Sequence, residues 1–129
     1  MNVKGLNQLM TQLESKLGKR KMDRIIDKAL VEGGKVIVKR LQENFEPWAD
    51  THASQLEITM TGPQTLNGKR TVTIHWKGQK DRWKIIHMNE YGTIKNPNPS
   101  GKGAIDRSIR QGQERYFEVV KYLIERALR

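Results

Sequence analysis

Residues 56–91 read LEITMTGPQTLNGKRTVTIHWKGQKDRWKIIHMNEY, and the alternation inside this stretch decides the fold class. Leu56, Ile58 and Met60 alternate with polar neighbours, and Val72, Ile74 and Trp76 do the same. On an extended backbone successive side chains point to opposite faces, so period two marks half-buried strands. Gly62-Pro63 and Asn67-Gly68 are turn signals between the two sets. The reading is a hairpin with a long loop over 62–69. Gly78-Gln79-Lys80-Asp81 makes a second turn. Trp83 to Tyr91 is a third strand, with Ile85, Ile86 and Met88 distributed over both faces, which predicts an interior place in the sheet.

Outward from the strands the period changes to that of helices. On the N-terminal side, Leu6, Leu9, Met10, Leu13 and Leu17 fall three and four apart and predict a short helix over 5–17, with Gly18 as its stop. Lys19-Arg20-Lys21 reads as an exposed elbow. Met22, Ile25, Ile26, Ala29, Leu30, Val36, Ile37 and Leu41 predict a long helix over 22–45, ended by Pro47. Gly33-Gly34 lies in its middle, where each glycine costs about 1 kcal/mol relative to Ala. A helix that accepts this cost packs closely against a neighbour or kinks. Residues 46–54 read as loop, and Thr93 to Gly103, with Pro97, Pro99, Gly101 and Gly103, as a loop or extended arm. Ile105, Ile109, Gly112, Tyr116, Phe117, Val120, Leu123, Ile124 and Ala127 trace one stripe of a last helix over 104–128. Helices grouped around an antiparallel sheet of about three or more strands make an α+β fold, and 129 residues suit one domain over 1–129.

Composition narrows the function. The net charge is +10, which speaks to partners and not to fold. The excess is uneven: residues 1–40 carry ten Lys and Arg against four acids, whereas 41–57 carry Glu43, Glu46, Asp50 and Glu57 and no Lys or Arg. A basic end and an acidic patch permit head-to-tail pairing of copies. With no cysteine, disulfides, thiol catalysis and Cys-based metal sites are excluded. Residues 1–8 show no apolar core of signal-peptide type, and no run approaches the ~18 residues of a membrane span. The expectation is a soluble protein made in the cytoplasm, with no membrane partner.

A search for chemistry finds little. His52, His75 and His87 have no partner at metal-ligand spacing; His75 reads as a surface residue and His87 as a satisfied, partly buried one. GPQTLNGKRT, residues 62–71, superficially suggests a phosphate-binding loop. It has one residue too many between its glycines, carries Arg70 where Ser or Thr should hold magnesium, and lies between strands instead of leading into a helix. Glu90 stands in an apolar strand without a base, nucleophile or metal partner and reads as half of a structural ion pair. No catalytic residue, metal or cofactor is expected. Trp48, Trp76 and Trp83 could stack on bases, but two of them lie in strand patterns that core packing explains.

The most specific stretch is His87-Met88-Asn89-Glu90-Tyr91-Gly92-Thr93. Its Glu90-Tyr91-Gly92-Thr93 ending a strand resembles the signature of the head–tail joining and tail-completion (neck) proteins of siphophages and prophages. In that family a proline-containing loop and a C-terminal helix follow. Asn96-Pro97-Asn98-Pro99 and the helix from Ala104 keep that order. Ala29-Leu30 before Gly33-Gly34 and the Thr61-Gly62 pair also match. One segment departs: Ser100-Gly101-Lys102-Gly103-Ala104-Ile105 replaces a proline-rich entry to the last helix.

The resemblance implies a structural virion protein, not an enzyme. It would assemble as a ring, with a hexamer as the expected form, around the DNA channel, in contact with head-connector and tail proteins. It would occupy the host bacterial cytoplasm during assembly and the virion neck afterwards. Candidate assembly-loop residues are Gly62, Pro63, Asn67, Gly68 and Lys69 in one loop, and Asn96, Pro97, Pro99 and Gly101 in the arm. In the signature, Gly92 would permit a turn closed to other residues, Thr93 would bond nearby backbone, and Glu90 would pair with Arg107 or Arg110. The alternative is a small basic protein that binds nucleic acid without reading its sequence, since phosphate contacts need only Lys and Arg.

Overall fold

A computed structural model describes residues 3–45, 58–77, 83–96 and 104–129. The order is α1 (Val3–Leu17), α2 (Lys19–Phe45), β1 (Thr59–Leu66), β2 (Lys69–Lys77), β3 (Trp83–Asn89), β4 (Ile94–Lys95) and α3 (Ala104–Ala127). The strands form one antiparallel sheet in the order β1-β2-β3-β4. The architecture is α+β, with the expected long, short and C-terminal helices.

Lys19-Arg20-Lys21 is the first turn of α2 and not an elbow. The break between α1 and α2 is Gly18 alone. Its amide bonds to Glu14 O (2.9 Å) while its carbonyl accepts from Met22 N (3.0 Å), so one residue closes one helix and opens the next. At φ 86° it takes the left-handed conformation that ends helices.

Two expectations about the sheet are corrected. The loop over 62–69 does not exist: β1 and β2 join through Asn67-Gly68 alone, with Leu66 paired to Lys69. Both turn residues have positive φ (52° and 77°), the condition for the type I′ turn that matches the twist of the strands. Gly62-Pro63 is not a turn but an irregularity within β1, where the register shifts between Thr61 and Gln64. Pro63 has no N–H for the ladder, and an edge strand tolerates that loss. The second correction concerns the third strand, which ends at Asn89 instead of Tyr91; the chain then turns, and Ile94–Lys95 returns as an edge strand against His87 and Met88.

The sheet has one face for the core. Val72 pairs with Met88 and Ile74 with Ile86, all fully buried. Helix α2 lies between this face and α3, and its two glycines serve different sides. A Cβ on Gly33 would fall 2.8 Å from the Tyr116 ring of α3, and one on Gly34 would fall 2.6 Å from Met60 Sδ of β1. Gly112 of α3 answers them, facing Ile37 of α2 at 2.8 Å. Close packing is therefore what the glycine pair provides. Leu6, Met10 and Leu13 of α1 complete the core.

The opposite face of the sheet is polar. Thr73 Oγ1 and His87 Nδ1 lie 3.1 Å apart, and Thr61 Oγ1 and His75 Nδ1 3.3 Å apart. His87 is half-buried and satisfied, as expected; His75 is half-buried as well and less exposed than a surface position would be.

Candidate functional site

The signature residues form a corner built on Asn89. Its side-chain Oδ1 accepts from the amides of Tyr91 (2.9 Å) and Thr93 (3.3 Å). Its backbone O accepts from Gly92 N (3.0 Å) and from Tyr116 Oη (2.9 Å), and its N–H donates to Thr93 O (3.0 Å). An Asn side chain that captures the amides following it is a standard way to end a strand in a turn. Thr93 enters this network through its backbone; the expected side-chain role falls instead to Asn89. Tyr116 is fully buried, and desolvation pushes its phenol well above the ordinary range, so it stays a neutral donor.

Gly92 has φ 85°, and a Cβ there would meet Phe117 at 2.8 Å and Leu6 at 3.1 Å. The corner therefore seats directly on α1 and α3. Only glycine satisfies both the left-handed backbone and the missing space.

Glu90 does not pair with Arg107 or Arg110, which are exposed on α3. Its partner is the Arg70 backbone. Glu90 N–H donates to Arg70 O (3.0 Å), and Arg70 N–H donates to Glu90 Oε1 (3.0 Å). The carboxylate thus stands in for a main-chain carbonyl one step beyond the β2–β3 ladder. The Arg70 side chain turns the other way, to Asp27 of α2. Arg70 Nε–Asp27 Oδ1 and Arg70 Nη2–Asp27 Oδ2 are both 2.8 Å, a bidentate pair, and Nη1 donates to Thr65 Oγ1 (3.0 Å). Asp27 holds the guanidinium above its usual range. Sequence reasoning missed Arg70 and Asp27. They are 43 residues apart, and no periodicity joins a helix to a hairpin across that distance.

With 8% of its surface exposed, Glu90 is held above the usual carboxylate range, first by desolvation and then by Asp23, against the Arg70 N–H bond, Lys19 and the Arg70 charge. It sits on the wall of a cleft of about 270 Å³ that Asn7, Glu14, Asp23, Arg70 and Tyr91 also line. Lys69 Nζ lies 5.4 Å from the centroid of the Tyr91 ring. The described residues that line the cleft bring carboxylates, cations and the hydroxyls of Thr11, Thr65 and Tyr91, and include no cysteine or histidine. Among the described residues no group of three or more His, Cys, Asp or Glu could hold a metal ion.

The remaining candidate residues are dispersed. Gly62, Asn67, Gly68 and Lys69 are exposed and Pro63 half-buried along the β1–β2 hairpin. Asn96 Nδ2 donates to Asp106 Oδ1 (3.4 Å) at the start of α3. Pro97, Pro99, Gly101 and Trp48 lie outside the described residues. Among the described residues no helix is long and apolar enough to cross a membrane. No protein-family model, curated protein or solved structure matches the chain.

Proposed function

We propose that the protein is a structural subunit of the neck of a tailed bacteriophage or prophage, assembling as a ring that joins head and tail around the DNA channel. The observation that carries the reading is the use of Glu90-Tyr91-Gly92-Thr93. Glu90 is bonded to the backbone of Arg70, whose side chain reaches Asp27 of α2, and Gly92 seats against Phe117 of α3 and Leu6 of α1. A signature spent on architecture suits a protein that acts through its surfaces. The resemblance to neck proteins in the order of these segments supplies the rest of the support. Copies of this chain and the adjoining connector and tail proteins are the partners on this reading.

Light scattering of the full chain at low and high concentration, with and without duplex DNA, tests it. A closed oligomer of one size, visible as rings by electron microscopy, is the expected result. A chain that stays monomeric at every concentration, and also in the presence of phage connector particles lacking their neck, would overturn it.

A further inference from the structure

The outer face of α2 carries a line of exposed cations, of which Lys35 alone has an acidic partner among the described residues. Lys21, Arg24, Lys28, Lys35 and Lys39 recur at intervals of three, four, seven and four residues. At 100° per residue these positions fall within about 60° of one another on the helix. They lie opposite the buried set Ile26, Leu30, Ile37 and Leu41. All five are exposed. At 1.5 Å per residue the line is about 27 Å long. Glu32 borders it and is engaged by Lys35 Nζ at 3.2 Å. Among the described residues no ion pair joins Lys21, Arg24, Lys28 or Lys39 to an acid.

Helix α3 widens the same face. A shallow groove between the helices brings Arg115, Arg126 and Tyr122 beside Lys28. Glu118 in that groove is paired to Arg115 at 3.5 Å. Tyr122, 54% exposed, is a large hydrophobic left at the surface, with a hydroxyl that donates.

We propose that this face, α2 from Lys21 to Lys39 with the Arg115–Arg126 edge of α3, binds the phosphate backbone of duplex DNA without reading base sequence. The chemistry separates this ligand from an acidic protein. Protein interfaces have an apolar core; the cation line of α2 has none, and the apolar surface beside it is limited to Val119, Tyr122 and Leu123 in the groove. Interfaces with DNA are polar and strongly positive. A straight row of cations on a rigid helix meets a polymer that carries one negative charge per about 1.7 Å of axis. The long, flexible Lys and Arg stems adapt to phosphate spacing, which is enough for sequence-independent contact. The proposal stands on the surface of one chain and does not depend on ring formation.

The experiment is fluorescence anisotropy of a short labelled duplex of arbitrary sequence, titrated with the full chain from about 50 to 200 mM salt. The five cations of α2, with one phosphate each, contribute about −4.5 to the slope of log affinity against log salt, since each contact contributes about −0.9. The triple variant Lys21→Gln/Arg24→Gln/Lys28→Gln should bring that contribution to about −2 and weaken binding at low salt by tenfold or more. The control Lys95→Gln/Arg107→Gln/Arg129→Gln removes the same charge at three exposed positions elsewhere. It should keep the slope. Circular dichroism confirms that both variants fold. Equal losses in the two variants would overturn the proposal in favour of net charge alone. Absence of binding at 50 mM salt would overturn it outright. Self-association that only the first variant abolishes, without DNA binding, would assign the face to an acidic surface of a second copy. A failed mass measurement would leave this titration untouched, so the two readings fall separately.

Discussion

Glu90 shows how a residue with the look of a catalytic acid can be an architectural one. Its carboxylate completes a hydrogen bond that a strand would otherwise supply. Glu90→Ala leaves the Arg70 amide without its acceptor and should destabilise the fold by about 1–3 kcal/mol in chemical denaturation. Glu90→Gln keeps an acceptor and removes the charge. Burial raises the folded pKa above the ordinary carboxylate range, so the acid form suits the folded state better than the carboxylate does. The contribution of Glu90 is therefore fully present below its unfolded pKa and is lost as pH rises through the raised folded value. Melting temperatures measured from pH 4 to pH 8 should show Glu90→Gln gaining on the parent as pH rises; a constant difference would contradict this. At Gly92 the positive φ and the Phe117 contact act together. Gly92→Ala should cost about 2 kcal/mol or more. Asn89 was legible as an amide before a turn, but its role needed the geometry of Tyr91 and Thr93. Arg70 and Asp27 carried no local signal at all.

The elements differ in how openly the sequence declares them. Helix α3 and the alternation of β2 follow directly from period, because each turns its apolar side chains to one face. Helix α2 has a face for α3 and a face for the sheet, and the glycine pair is where the two meet. Alanine at Gly33 raises helix propensity by about 1 kcal/mol but drives a methyl into Tyr116 and Val120. Gly33→Ala should therefore lower stability, by about 1–3 kcal/mol, where propensity alone predicts a gain. Gly62→Ala makes the contrast: an added Cβ meets nothing within 4 Å and the backbone is unstrained. Its effect on the unfolding free energy of the isolated chain, read in chemical denaturation, should stay within about 0.5 kcal/mol. The β1–β2 hairpin misled the reading because two turn signals lay five residues apart. Asn67-Gly68 could form the tight turn, and Gly62-Pro63 was then absorbed as an irregularity of the edge strand.

At the scale of the whole molecule, α2 is the central layer, covered by α3 on one side and the sheet on the other. Its amides between Ile26 and Leu41 should exchange only through global unfolding, while those of edge strand β1 exchange through smaller openings. Hydrogen exchange followed by mass spectrometry separates the two, and equal protection would count against the layering. The sequence by itself determined the α+β class, the three helices, the alternating strands and the concentration of positive charge before residue 41. These are local properties, written in periods of 2 and 3.6 and in composition. Only the tertiary structure decided which carboxylate meets which base, where the glycines bring backbones together and which cations remain at the surface. Those outcomes depend on contacts between residues distant in the chain, such as Asp27 with Arg70 and Asn89 with Tyr116. Packing makes such contacts, and a one-dimensional pattern does not record them.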